Sequence, residues 1–561
     1  MLRPPSHGCE TLTLRPNQSA KKTVPRSIKS CASKQDLRGQ SVAVVGLGKS
    51  GRAAARLALA RGASVLAIDQ NENLGLLEQD PLFEKHSGLR TILGNFDRQL
   101  FKDVDMVVVS PGVPLENYGL SSLLEAGKLV MSELDFAAEV LPKSIKILAV
   151  TGTNGKSTVV TFAGQMLKHF GIEAFVGGNL GNPLSEAAFH SLKSPSMKPN
   201  FQVAVVEVSS YQMEIPNKYF CPSVSVVLNL APDHLERHKT MQNYAGTKCR
   251  LVSHMTNTKL GLLCFASQWT LGLKVGSKIT SIDGIGNQHL NEAIREHVNE
   301  FNLAWIGAFP DLFKYQMHKF LKTMYRIPIK NALTSVYMSL MEVTYFPKID
   351  METKIASFEV PIIGVKSQLQ LSAMNVMGMH NYLNAAVAAL SILGLNVGVD
   401  AEGISSAIEN LKAPPHRMQI VHRDINGVIW VDDSKATNVH ATYTGLMGLK
   451  GQKSVILLGG LAKVICGLET GGFERLIDPL KYHRCVITFG SSGMLIQKTL
   501  FKNGLSIPCI RAATMKDAIN CARRMAKFGD AILLSPGCAS FDEFKNFEHR
   551  GMVFQELSSS S

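Results

Sequence analysis

An apolar run, IKILAV, passes directly into TGTNGKST and then into VVTFAGQMLKHFG (residues 145–171). A buried strand that empties through a glycine-containing loop into a helix belongs to a parallel α/β sheet, because parallel neighbours need a helical crossover between them. The loop Gly152, Thr153, Asn154, Gly155, Lys156, Ser157, Thr158 turns backbone N–H groups and a helix N-terminus toward one point, which favours phosphate. Lys156 is placed to reach β- and γ-phosphates and Ser157 to contact magnesium. Val150 stands where a strict phosphate loop has its first glycine. Two further apolar runs end in polar clusters. VAVVEVSSYQME delivers Glu207, Ser209, Ser210 and Gln212, and VSVVLNLAPDHLERH delivers Asn229, Asp233 and His234. A carboxylate at a strand end beside a phosphate loop can hold magnesium, although backbone amides could equally satisfy Glu207.

Upstream, SVAVVGLGKSGRAAARLALARGASVLAID reads as strand, tight turn, Ala-rich helix and second strand. Gly46, Gly48 and Gly51 leave room for a pyrophosphate to approach the backbone, and Asp69 has the spacing of a ribose-binding acid. Taken alone this pattern points to NAD, or to a glycine turn that only closes strand–helix packing. VDMVVVSPGVP ends another strand at Ser110, Pro111 and Gly112, at the sheet edge where open α/β sheets bind ligands. Downstream, Pro414 and Pro415 read as a linker and hinge. Beyond them three apolar strands end in polar loops: VIWVDDSKATN with Asp433, Ser434, Lys435, Thr437 and Asn438, VILLGGLAKV with Lys463, and AILLSPGCASFDEFKNFEHRG with Ser535, Ser540, Phe541, Phe547 and Arg550. These imply a second parallel sheet with its loops on one edge. Arg417 opens this unit. In GMHNYLNAAVAAL, Asn381 and Asn384 fall on one face of a helix.

Composition sets outer limits. A chain of 561 residues exceeds a single core and fits three domains, on a prior of about 150 residues each. No apolar run reaches the ~18 residues of a membrane span. The ten cysteines include no Cys-x-x-Cys pair, so zinc and dithiol chemistry are not indicated and reduced, buried thiols are expected. The net charge of +14 could suggest nucleic acid, but residues 1–38 carry +6 and residues 311–348 carry +4. No basic-aromatic stripe accompanies that charge, so no nucleic-acid partner is expected. Residues 1–38 are rich in Ser, Thr, Arg, Lys and Pro and lack an apolar core. They fit an organelle transit peptide, plastid ahead of mitochondrion, or a disordered basic arm on a cytoplasmic protein.

The loop TGTNGKST, with EVSSYQME, DHLERH and DSKATN, resembles the Mur ligase family across residues 39–258 and 375–557, and DSKATN resembles its D-glutamate-adding branch. The resemblance implies an α/β, three-domain architecture: a Rossmann-like UDP-substrate domain (39–144), a P-loop-type ATPase domain (145–413) and a Rossmann-like amino-acid domain (414–561). It implies a monomeric, membrane-free ATP-dependent ligase that joins D-glutamate to UDP-N-acetylmuramoyl-L-alanine through an acyl phosphate. Another ligase of the superfamily and a non-catalytic nucleotide-binding scaffold remain the alternatives. By that resemblance Gly46, Gly48, Lys49, Ser50, Gly51, Asp69, Ser110, Pro111, Gly112, Asn179, Ser209 and Gln212 face the UDP substrate. The phosphate loop, Asn381, Asn384, Arg417, Asp433 and Lys435 face ATP, while Thr437, Lys463, Ser540, Phe541 and Phe547 face D-glutamate. Lys156, Glu207, His234 and Lys248 form the catalytic group, with Ser157, Glu207, His234 and a carbamylated Lys248 holding two magnesium ions. Residues 266–285 and 311–347 have no place in the family pattern: they read as surface insertions, a partner-binding helix pair or a gene-model error.

Overall fold

The computed structural model describes residues 36–83, 86–97, 99–193, 200–253, 260–264, 303–306, 348–350, 353–360, 365–374, 376, 378, 380–462 and 471–560. The leader through residue 35, the segments 266–285 and 311–347, and Lys463 lie outside the described residues. Among the described residues no helix is long and apolar enough to cross a membrane. The described cysteines, Cys221, Cys249, Cys485, Cys509, Cys521 and Cys538, are free thiols.

The first sheet contains β1 (Ser41–Val45), β2 (Ser64–Asp69), β3 (Leu89–Leu93), β4 (Met106–Val109) and β5 (Val130–Ser132) in the order β3-β2-β1-β4-β5. All its pairings are parallel. That follows from β1 and β4 being apolar on both faces, as strands covered by helices on two sides must be. The strand order reverses between β1 and β4, and the loops that leave them, Gly46–Gly51 and Ser110–Gly112, flank the resulting crevice. Glycine is required here: Gly46 has φ +87°, and a Cβ on Gly51 would lie 1.8 Å from the Gly46 carbonyl oxygen.

The second sheet contains β6 (Lys146–Thr151), β7 (Ala174–Gly178), β8 (Val203–Glu207), β9 (Val224–Val227), β10 (Leu260–Cys264) and β11 (Leu303–Ile306), ordered β11-β10-β9-β6-β8-β7 and wholly parallel. Strand β6 lies between β8 and β9, with Val150 opposite Glu207 and Thr151 opposite Val227. The phosphate loop therefore emerges between the Glu207 strand end and the loop that carries Asn229 and His234. Helices Lys156–His169 and His380–Leu395 share one apolar core. A small antiparallel sheet, β12 (Lys348–Asp350), β13 (Ile355–Val360) and β14 (Val365–Gln370), adds Ala356 and Leu369 to that core.

These two sheets form one packed body. A single apolar cluster runs from Leu37 through Val44, Phe136 and Leu184 to Leu251. Across the joint, Asp135 Oδ1 accepts the amides of Lys218, Tyr219 and Phe220 at 2.9, 2.6 and 2.8 Å. Arg56 Nη1 also meets Glu186 Oε1 at 3.0 Å.

The third sheet contains β15 (Gln419–Arg423), β16 (Ile429–Asp432), β17 (Ser454–Gly459), β18 (Cys485–Phe489), β19 (Cys509–Arg511) and β20 (Ala531–Leu534), ordered β15-β16-β20-β17-β18-β19. It is parallel except at β15, which is antiparallel to β16. The exception has a local cause: the tight turn around Gly427 (φ +70°) joins the two strands directly, and a connection that short permits only an antiparallel pair.

Candidate active site

The phosphate loop is braced before any ligand arrives. Gly152 has φ +141° and Gly155 φ +88°, and the helix Lys156–His169 starts at Gly155. Asn229 clamps the loop from β9: its Oδ1 accepts the Asn154 amide and its Nδ2 donates to the Asn154 carbonyl, both at 2.9 Å. Lys156 Nζ donates to the carbonyls of Gly152 and Thr153 at 3.0 and 2.9 Å. From the helix Met241–Ser253, Lys248 Nζ donates to the same Gly152 carbonyl at 3.0 Å. Lys248 is 2% exposed. Burial first, and then the positive charge of Lys156, pull its amine well below the ordinary lysine range.

Glu207 at the end of β8 is buried, and its Oε1 accepts Asn179 Nδ2 at 3.1 Å. Its Oε2 is buried without a hydrogen-bond partner. Burial would raise this carboxyl, but Lys156 and Lys435 outweigh it and hold the pKa below the ordinary value. A buried, ionised oxygen with an open lone pair beside the Ser157 hydroxyl fits a hard divalent cation. Among the described residues no three His, Cys, Asp or Glu side chains converge as a metal cage.

The third sheet closes over this loop through the strand end after β16. Lys435 Nζ donates to Ser157 Oγ at 2.7 Å, Asn438 Nδ2 to Asp233 Oδ2 at 3.3 Å, and Asn154 Nδ2 lies 2.8 Å from His440 Nδ1. Burial lowers the Lys435 amine to about 8, even though Glu207 favours its charge. Between the two sheets lies a narrow cleft lined by Asn154, Gly155, Thr158, Asn384, Arg417 and Asp433, among others. Asn384 lines it, and its Nδ2 donates to Asn381 Oδ1 behind the wall at 3.2 Å. Asp433 accepts Ser535 Oγ at 2.8 Å, and burial pushes its carboxyl up to about 7 against the opposing charge of Arg417.

Other residues singled out from the sequence hold the scaffold together. Asp69 spends both oxygens on backbone: Oδ2 accepts the Leu47 amide at 2.6 Å and Oδ1 the Asn71 amide at 2.9 Å. Its bonds organise the glycine turn. Ser110 Oγ donates to the Gly46 carbonyl at 2.7 Å. Ser209 donates to Gln212 Oε1 through its amide and hydroxyl at 2.9 and 3.1 Å. Arg550 is wholly buried and ties Ser434 to the Cys538 and Ala539 carbonyls. On the amino-acid side the described residues are scattered. Ser540 is buried, Phe541 is 70% exposed, and the Phe547 ring lies 5.2 Å from Lys435 Nζ.

Four participants escaped the sequence reading. Tyr211 and Glu236 contact His234, His440 contacts the phosphate loop, and His416 (φ +59°) binds Asp432 Oδ2 through Nδ1 at 2.7 Å. All lie within or next to the strand-end loops already identified, and their position was the available signal.

Residues 150–302 match the model of the Mur ligase middle domain, and residues 40–132 that of the MurD-like Mur ligase N-terminal domain. The UDP-N-acetylmuramoylalanine–D-glutamate ligase of Desulfatibacillum aliphaticivorans is 31% identical over 523 residues, covering 92% of this chain and 98% of that protein. The chain belongs to the Mur ligase family. The enzyme of the same name from Desulfosudis oleivorans is 33% identical over 515 residues, covering 92% of this chain and 95% of its own length. Among solved Mur ligases, MurF of Thermotoga maritima, crystallised with ADP, superposes with TM-score 0.51 at 17% identity, covering 94% of this chain and 97% of that one. MurF of Acinetobacter baumannii gives 0.51 at 15%, covering 93% and 92%. At that identity the structures share the fold, which is the multi-domain Mur ligase architecture.

Proposed function

We propose that this Mur ligase couples ATP cleavage to amide-bond formation between the carboxylate of UDP-N-acetylmuramoyl-L-alanine and the amine of D-glutamate, in peptidoglycan precursor synthesis. The observation that carries the reading is the convergence of Lys156, Lys435, Ser157 and Glu207 on one braced phosphate loop, with two sheets contributing. Phosphoryl transfer to a carboxylate gathers negative charge, so its catalysis is mainly positioning and neutralisation. Lys156 neutralises the β- and γ-phosphates, and Lys435 reaches the same point from the third sheet. Arg417, Asp433, Asn381 and Asn384 hold the nucleotide in the cleft. The closed third domain excludes water from an acyl phosphate that would otherwise hydrolyse.

The chemistry expected of magnesium is charge neutralisation and alignment of the phosphates. Ser157 with the open Glu207 oxygen would hold one ion, and His234 with a carbamylated Lys248 a second. Carbamylation needs a neutral amine, which burial of Lys248 favours. The crevice of the first sheet, with Lys49, Ser50, Gly51 and the Ser110–Gly112 loop, takes the UDP moiety. Thr437, Lys463, Ser540, Phe541 and Phe547 face D-glutamate. The basic leader supports import into plastids, tested by fusing residues 1–38 to a fluorescent reporter in plant cells; cytoplasmic fluorescence counts against it.

The test is phosphate release from ATP by residues 39–561 with the UDP-linked acceptor and a panel of amino acids. Release that requires both acceptor and D-glutamate supports the reading. Release with another amino acid would move the chain to a different specificity, and no release from folded, ATP-binding protein would favour a scaffold role.

A further inference from the structure

Residues 229–238 follow β9 and end in the short helix Leu235–His238, and the segment is fastened at both ends. Its near end is sewn to the phosphate loop. The Thr153 amide donates to the Asn229 carbonyl at 2.9 Å and the Ala231 amide to Thr153 Oγ1 at 3.0 Å, beside the Asn229 clamp on Asn154. At its far end Arg237 reaches across to the first sheet. Its Nη1 donates to the Pro111 carbonyl at 3.0 Å and its Nη2 to the Val113 carbonyl at 2.8 Å. Those two carbonyls flank Gly112 in the loop after β4, and the Ser110 hydroxyl ties that loop to the Gly46 turn.

The guanidinium is fixed on its other sides as well. Glu214 Oε2 accepts Nε at 3.1 Å and also pairs with Nη2, and the Tyr211 ring centroid lies 4.2 Å from Cζ. The Arg237 and Glu214 side chains are 11% and 14% exposed, so water competes little for these bonds. Glu214 is held in turn: Arg250, from the helix that carries Lys248, donates to the Met213 and Glu214 carbonyls at 2.9 and 2.6 Å. A planar guanidinium can bridge two carbonyls and a carboxylate at once, whereas an ammonium is a point charge that cannot span them in one orientation.

The UDP-linked acceptor of the proposed function has its diphosphate at the crevice of the first sheet and its carboxylate at the phosphate loop of the second. The carboxylate meets the nucleotide correctly only if those two places keep a fixed separation, and a misplacement of about 1 Å at a reacting centre can cost about 10²-fold in rate. We propose that Arg237 is a positioning residue that fixes this separation, stapling the Ser110–Val113 loop to the segment that clamps the phosphate loop. It acts through the two loops rather than on the reacting atoms. The proposal rests on the reading of the Ser110–Gly112 loop as the loop that faces the UDP substrate.

The test is Arg237→Lys in the full chain. Lysine keeps a cation beside Glu214, so no buried carboxylate is stranded, but it loses the fork. With D-glutamate saturating, kcat for the UDP-linked acceptor should fall about 10²-fold, while calorimetric affinities for a non-hydrolysable ATP analogue and for UDP alone stay within about twofold of wild type. An arginine that only holds the fold together would lower those affinities along with thermal stability. Unchanged turnover, or a loss of UDP or ATP-analogue affinity that accounts for the slower rate, overturns the proposal. Hydrogen exchange on the wild-type chain needs no variant. UDP should slow exchange in residues 232–238 as well as in the Ser110–Val113 loop; protection confined to the first sheet overturns the staple, and protection of neither segment removes the reading on which it rests. A wild-type chain that shows the shared protection and forms no amide sinks the ligase reading and leaves the staple standing.

Discussion

Replacing Lys435 by methionine separates catalysis from stability in this protein. The side chain crosses from the third sheet to Ser157 Oγ at 2.7 Å, and burial lowers its amine from 10.5 to about 8. At 1.36 kcal/mol per pH unit, keeping that amine charged at neutral pH costs the folded state roughly 3 kcal/mol. Methionine fills similar space without charge. It forfeits the bond to Ser157, worth about 1 kcal/mol, so Lys435→Met should gain about 2 kcal/mol. The sign can be checked against pH. A lysine whose folded pKa is depressed gives a stability term that is present above 10.5 and lost as pH falls through about 8. The wild type should therefore be at a disadvantage to Lys435→Met at pH 7, and that disadvantage should shrink toward pH 10. Turnover should fall about 10²–10³-fold, the usual loss for one strong electrostatic contact to developing charge. The assays are urea denaturation at pH 7 and pH 10 and D-glutamate-dependent phosphate release. A variant that is both less stable at pH 7 and fully active would refute the reasoning.

Lys156→Ala should lose about 10²–10³-fold in turnover with the fold intact by circular dichroism; normal turnover would remove Lys156 from the mechanism. Glu133 is buried at the joint of the first two sheets, accepts the Ser185 amide at 2.7 Å, and is raised by burial to about 7. Its stability contribution is complete below 4.5 and lost as pH rises through about 7, so Glu133→Gln should be more stable than wild type by about 3 kcal/mol at pH 8 and equal to it at pH 4; parallel denaturation curves would sink this. Gly51→Ala places a Cβ 1.8 Å from the Gly46 carbonyl oxygen, which should cost about 2–4 kcal/mol and weaken UDP-substrate binding measured by calorimetry. Incubation with ¹³C-bicarbonate should give a carbamate ¹³C signal that is absent in Lys248→Arg; identical spectra would remove the modified lysine.

What the sequence disclosed follows from how local each feature is. The phosphate loop, the Gly46–Gly51 turn and the DSKATN strand end were legible because each is a continuous strand–loop–helix unit whose residue types have few other uses. Strand order was not written in any one segment. That β6 runs between β8 and β9, bringing Asn229 to clamp Asn154, depends on crossovers spanning dozens of residues. The contacts of His440, Tyr211 and Glu236 were hidden for the same reason: each is a lone polar residue whose partner is set by the tertiary fold. Asp69 shows the converse, a motif residue in register whose carboxylate is bonded to the turn itself. The antiparallel β15 lies outside the three apolar strands named from the sequence, because its pairing is set by the turn at Gly427 and not by an apolar run of its own.

The central claim is that ATP activates the acceptor carboxylate for attack by D-glutamate. Its most direct test uses UDP-N-acetylmuramoyl-L-alanine labelled with ¹⁸O in that carboxylate, with mass spectrometry of the released phosphate and of the product. An acyl-phosphate ligase transfers one ¹⁸O to phosphate for each D-glutamate amide formed. Amide formed with unlabelled phosphate, or phosphate released with no D-glutamate amide, would contradict the account.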